Sequence, residues 1–228
     1  MLGVWIAVAL ALSAAAVAVA WTARNRRRAP RRAEILELDS DTSVDPATEA
    51  TTSIQRADLL IDRDALAEIW TPLYLERLAR TYWRFLTRVT LGLIRVRYTE
   101  SERSVVLIAP PLRLLVFQAP EYEMDASHGV VRWSISGGLL VSKRGRDGRG
   151  YLQIEVRRPS EDAGDAVRTR LHVEVAVANF YPSIASGLSR TVYDATQSRI
   201  HVVVTNGFLR SLTRLDLAES RVGRLSGY

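Results

Sequence analysis

The chain has 228 residues and a formal charge of +6, with a sequence pI near 10.0. Six of its 31 basic residues are Arg24, Arg26, Arg27, Arg28, Arg31 and Arg32, with no acid before Glu34, which leaves 25 basic against 25 acidic residues in the rest. The basicity is therefore local, and without a recognition module it speaks against nucleic-acid binding; the absence of cysteine excludes disulfides, thiolate metal sites and cysteine nucleophiles.

Leu2 to Trp21 carries no charge. About twenty apolar residues span roughly 30 Å as a helix, the thickness of a hydrocarbon core. Trp5 and Trp21 stand near the two ends, and all the arginines follow the run. This predicts a transmembrane helix over residues 1–23 that is not cleaved, because a basic n-region is lacking and the run exceeds a signal peptide's apolar core. The arginines then set the topology: a single-pass inner-membrane protein, N-terminus outside and C-terminal domain cytoplasmic, with the arginine cluster against anionic headgroups of membrane lipid. Lys143 is the single lysine, a bias expected of a GC-rich bacterial genome and without mechanistic content.

Residues 24–57 read as the basic cluster followed by a disordered linker, because Glu34, Glu37, Asp39, Asp41, Asp45 and Glu49 sit among Thr, Ser and Ala with little to bury. An α+β domain is expected over residues 58–217, with a flexible tail at 218–228. Asp64 is placed to cap a short helix ending near Trp70. Thr71-Pro72 reads as N-cap and first helical residue of a longer one, whose Tyr74, Leu75, Leu78, Tyr82, Phe85, Leu86 and Val89 recur at spacings of three and four. Arg77, Arg80, Arg84 and Arg88 form one stripe along it. The stripe is expected in water, with lipid phosphates or a protein partner as the sharper alternatives.

From Leu93 to Ala178 the period becomes two. Strands are predicted at 94–98, 104–109, 112–118, 131–136, 139–143, 151–157 and 171–177, with a bulge or bend at Gly137-Gly138. Short turns between consecutive strands imply an antiparallel sheet of about six or seven strands. The last part is predicted as one long helix from Pro182 or Ser183 to about Leu215, although Ile200–Val204 alone would pass for a strand. Helix, meander and closing helix in this order are similar to the helix-grip (START or polyketide-cyclase-like) fold over roughly residues 58–215. The resemblance lies in element order and transfers no residue. It implies an apolar ligand held between sheet and last helix.

Candidate sites follow. Trp133, Tyr151, Phe180, Tyr181 and Tyr193 could line a pocket, with Gln197 or His201 as polar contacts, although ordinary core is the commoner fate of such residues. The tip Lys143–Gly150 offers Arg144, Arg146 and Arg149 to an anionic headgroup, while Asp147-Gly148 alone suffices to explain a type I′ hairpin. His128, His172 and His201 share no metal-ligand spacing, and no nucleophile, kinase, dinucleotide or P-loop motif is present. The expected activity is therefore non-enzymatic binding of a hydrophobic or lipid-like ligand, without a cofactor. The alternative is an adaptor that holds a protein partner.

Overall fold

A computed structural model describes residues 32–107, 112–159, 167–183, 204–214 and 217–219. Its main element is a nine-stranded sheet in the order β1-β2-β9-β8-β7-β5-β4-β3, with β6 also paired to β7. The strands are β1 (Ala33–Val44), β2 (Thr51–Asp62), β3 (Ile94–Tyr98), β4 (Glu102–Leu107), β5 (Leu112–Gln118), β6 (Glu121–Met124), β7 (His128–Gly137), β8 (Tyr151–Arg157) and β9 (Arg168–Phe180). Every pairing is antiparallel. Two helices, α1 (Arg63–Ile69) and α2 (Pro72–Val89), stand between β2 and β3. Residues 204–211 form a third, α3, followed by a single 3-10 turn at Leu212–Arg214.

This architecture corrects the expected one. Residues 33–57 are not a linker: β1 and β2 make a long hairpin in which Ala57, Leu59 and Ile61 are buried while Asp58 and Leu60 alternate with them. Its turn is built locally. Asp45 Oδ1 accepts from the backbone of Ala47 (2.8 Å) and Thr48 (3.0 Å), and those bonds lower the Asp45 pKa. Strands thus precede the helices, and the described C-terminal helix is short, so the helix-meander-helix order of a helix grip is not what the chain adopts. Ile200 to Val203, and the greater part of the predicted long helix, lie outside the described residues.

The membrane assignment is corrected as well. Among the described residues no helix is long and apolar enough to cross a membrane. The longest, α2, has 18 residues but carries the four-arginine stripe on one side, which a bilayer core would not tolerate. A single-pass inner-membrane protein is therefore not supported. The apolar run at residues 1–23 and the arginines from Arg24 to Arg31 lie outside the described residues.

Local expectations fare better where one rule decides. Thr71 caps α2, its hydroxyl accepting from the Tyr74 N–H at 3.4 Å, with Pro72 at the first turn. α1 is capped by Asp62 rather than Asp64: Asp62 Oδ1 accepts from Asp64 and Ala65. Leu139–Lys143 is not a strand, because β7 ends at Gly137 and Gly138 turns the chain with φ +119°. Glu121–Met124 is one, separated from β5 by Ala119-Pro120. Both segments lie along β7, where the missing proline N–H forces the break between them.

One face of the sheet is covered by the helices. Trp133 from β7 is 1 % exposed and meets Trp83 of α2 edge-on, centroids 5.3 Å apart. Trp83 continues to Phe117 (5.5 Å) and Tyr82 (5.1 Å), and Tyr82 to Phe208 of α3 (5.3 Å, rings at 89°). Edge-to-face pairs of this kind add about 0.5–1.5 kcal/mol each to plain burial. Burial pushes the Tyr82 phenol up to about 12.

Candidate functional site

The sequence-based candidates do not converge. Strand alternation puts Trp133 on the covered face, as core, and Tyr151 on the open one, where Arg132 stacks on its ring at 4.7 Å. Phe180 is buried in the main core. Tyr181 is half-buried beneath Arg144, whose guanidinium carbon lies 5.1 Å from the ring centroid. Tyr193, Gln197 and His201 lie outside the described residues.

The arginines of the predicted tip are engaged within the protein. Residues 143–146 form a 3-10 turn rather than one arm of a hairpin. Arg144 donates to the Thr48 carbonyl (3.2 Å), Arg146 to the Val141 carbonyl (3.4 Å) and Arg149 to Asp147 (2.6 Å). Arg32 is exposed, and its backbone N–H donates to the Thr213 carbonyl at 2.9 Å, tying the start of β1 to the turn after α3.

The α2 stripe divides. Arg77 Nε donates to the Ala218 carbonyl (2.9 Å) and Arg80 Nε to the Glu219 carbonyl (3.0 Å), while the Ala218 N–H donates to Thr81 Oγ1 (2.7 Å). Ala218 and Glu219, expected to belong to a flexible tail, are thus strapped with Leu217 along α2, and Leu217 and Ala218 are buried. Arg84 and Arg88 are exposed.

Two concavities emerge. The first is an apolar crevice of about 50 Å³ on the covered face. Leu59, Val156, Leu171 and Val173 form its floor; Leu66, Ile69 and Trp70 from the α1 end, and Tyr74, Leu75 and Leu78 from α2, form its roof; Met124, Leu212 and Leu217 close the sides. Trp70, half-buried, is held in place from outside. Its Nε1 donates to the Asp125 carbonyl at 2.9 Å, and Arg158 lies over the ring at 4.7 Å. Among the described residues that line it, only Trp70 and Tyr74 bring a nitrogen or oxygen atom.

The second is a polar hollow of about 230 Å³ on the open face, lined by Glu121, Glu123, His128, Val130, Arg132, Gln153 and Glu155. At its base the buried Glu155 carboxylate accepts from His128 Nε2 (2.9 Å), Gln153 Nε2 (2.9 Å) and Arg157. Burial alone would push this carboxyl up; the hydrogen bonds from Arg157 and His128 outweigh it and hold the group below the usual glutamate value. A carboxylate held ionised and surrounded by donors is a structural ion, not a general acid. His172 is paired likewise on the same face, Nδ1 to Asp58 Oδ1 at 2.7 Å. No group of three or more metal-ligating side chains is found among the described residues.

Sequence reasoning missed the crevice. The apolar alternation of β2 and β9 was its only advance signal, since the enclosure depends on where residues 212 and 217 come to rest.

No protein-family model matches the chain, and no curated protein matches it. Among solved structures it is similar to the NMR structure of CalU16 from Micromonospora echinospora, at 14% identity, covering 88% of this chain and 85% of that one with a TM-score of 0.29. It is also similar to an uncharacterised protein from Rhizobium leguminosarum, at 10% identity, covering 70% of this chain and 98% of that one with a TM-score of 0.22. At these scores neither likeness carries an argument about fold or function.

Proposed function

We propose that this domain binds, without catalysis, the apolar part of a hydrophobic or lipid-like ligand in the crevice beneath α1 and α2. The observation that carries this reading is the lining: thirteen side chains from the sheet, both helices and the C-terminal segment meet around a void, and nearly all are purely apolar. Binding pockets share this character, with a few polar groups at the rim to fix orientation. Here Trp70 and Tyr74 line the crevice, the Trp70 N–H already donating to the Asp125 carbonyl. The polar hollow is weaker support for an activity, because the donors around Glu155 are already committed to one another.

The test is a methyl NMR titration of the protein with short alkanols and with benzene. Specific shifts at the Leu66, Leu171 and Val173 methyls, lost in a Val173→Phe variant that fills the void, are expected. Shifts spread over the surface, or equal binding by the filled variant, would remove the proposal.

A further inference from the structure

We infer that Leu217 is the residue that limits ligand size, and that the strap 217–219 is the wall that yields. The inference rests on the ligand-binding reading above and sharpens it.

The void is about 50 Å³. An apolar cavity of about 150 Å³ accepts a benzene ring, whereas one probe sphere of about 10–15 Å³ holds a water. The crevice is open on one side, but the space inside it takes no more than a short branched alkyl group, so burying a group of ring size requires a wall to move. The walls differ in how they are fixed. The floor belongs to β2, β8 and β9, paired residue by residue over their length. The roof is fixed at its ends by the Asp62 and Thr71 caps. The strap is held by three side chain–backbone hydrogen bonds, from Arg77, Arg80 and to Thr81.

Those three bonds engage only backbone atoms of the strap, so they fix its path irrespective of its side chains. The contribution of side-chain identity is Leu217, which is 9% exposed and lines the crevice itself. Shortening it would extend the void by the volume of three carbon atoms, with the strap bonds intact. Loosening the strap would enlarge the void by a different route, with Leu217 unchanged. The ligand class that follows is a compact apolar group, branched alkyl with the strap in place and buried at ring size only when the strap is displaced.

The experiment uses the full chain and benzene as probe, with isobutanol as the small comparison, and reads the dissociation constant by methyl NMR. Leu217→Ala is expected to tighten benzene binding at least about tenfold, a gain of about 1.4 kcal/mol, while changing isobutanol binding little. The double variant Arg80→Ala with Thr81→Val, which leaves every crevice methyl in place, is expected to shift benzene in the same direction and to raise hydrogen exchange at the Ala218 amide. Equal benzene affinity in wild type and both variants, with isobutanol still bound, would overturn the role of the strap while sparing the binding site. Absence of both probes from the crevice in wild type and Leu217→Ala alike would instead overturn the site. The double variant also decides the matter if Leu217→Ala fails to fold.

Discussion

Replacing Phe208 with alanine should be among the most damaging single changes in the protein. Phe208 is 0% exposed and stands edge-on to Tyr82, 5.3 Å between centroids. It thereby joins α3 to α2 and, through Trp83, to Trp133. A phenylalanine buries about 150–250 Å², or roughly 4–6 kcal/mol at about 25 cal/mol per Å². Partial collapse of the neighbours recovers some of this, and measured Phe→Ala losses run at about 3–5 kcal/mol. At about 2–4 °C per kcal/mol for a domain of this size, the melting temperature should fall by about 6–20 °C. Urea denaturation followed by tryptophan fluorescence measures the loss directly, with an unchanged slope showing that the unfolded states are comparable. A loss below about 1 kcal/mol would refute the reasoning: it would mean that residues 204–211 do not pack on α2, and the adjoining Leu212 side of the crevice would lose its support.

Two further outcomes are expected. The depressed pKa of Glu155 implies stability that is present above the ordinary glutamate value and lost as pH falls through the folded-state value. Wild type should therefore exceed Glu155→Gln by about 1–2 kcal/mol at pH 7, charge-assisted bonds being worth about 1.5–3 kcal/mol before the exposure of Arg157 is discounted. In urea melts the gap should narrow at pH 3; a gap that stays constant would show that charge is not its source. Gly138→Ala should cost at least about 2 kcal/mol in thermal unfolding, since φ there is +119° and a Cβ would lie 2.4 Å from the Leu114 carbonyl oxygen. A neutral result would mean that the turn relaxes without loss.

What was legible depended on whether one local rule ruled alone. Thr71-Pro72 and the spacing from Leu75 to Val89 define α2, because capping and an amphipathic stripe act within the segment. Val131, Trp133 and Ile135 declare the covered face of β7, and His172 and Glu174 the open face of β9. Neither β1 nor β2 is legible as a strand when composition is weighed above alternation. Acids and threonines looked unable to fold alone, yet the hairpin is stabilised from outside by β9, with Arg56 placed between Asp39 (3.1 Å) and Glu174 (2.9 Å). The candidate pocket failed for a simpler reason. Aromatic residues were grouped by type, and the period of two sends Trp133 and Tyr151 to opposite faces. The tail failed because its bonds are made by its backbone, on which its own side chains are silent.

The acids that disguise β1 as a linker have a consequence for solubility. β1 ends the sheet order, with β2 its only partner strand among the described residues. A twelve-residue strand in that position offers a row of backbone donors and acceptors to any passing chain. Glu34, Glu37, Asp39 and Asp41 are all exposed along it, and Glu37 and Asp41 have no ion pair among the described residues. A second copy laid against this edge would bring carboxylates against carboxylates, so the strand repels its own kind.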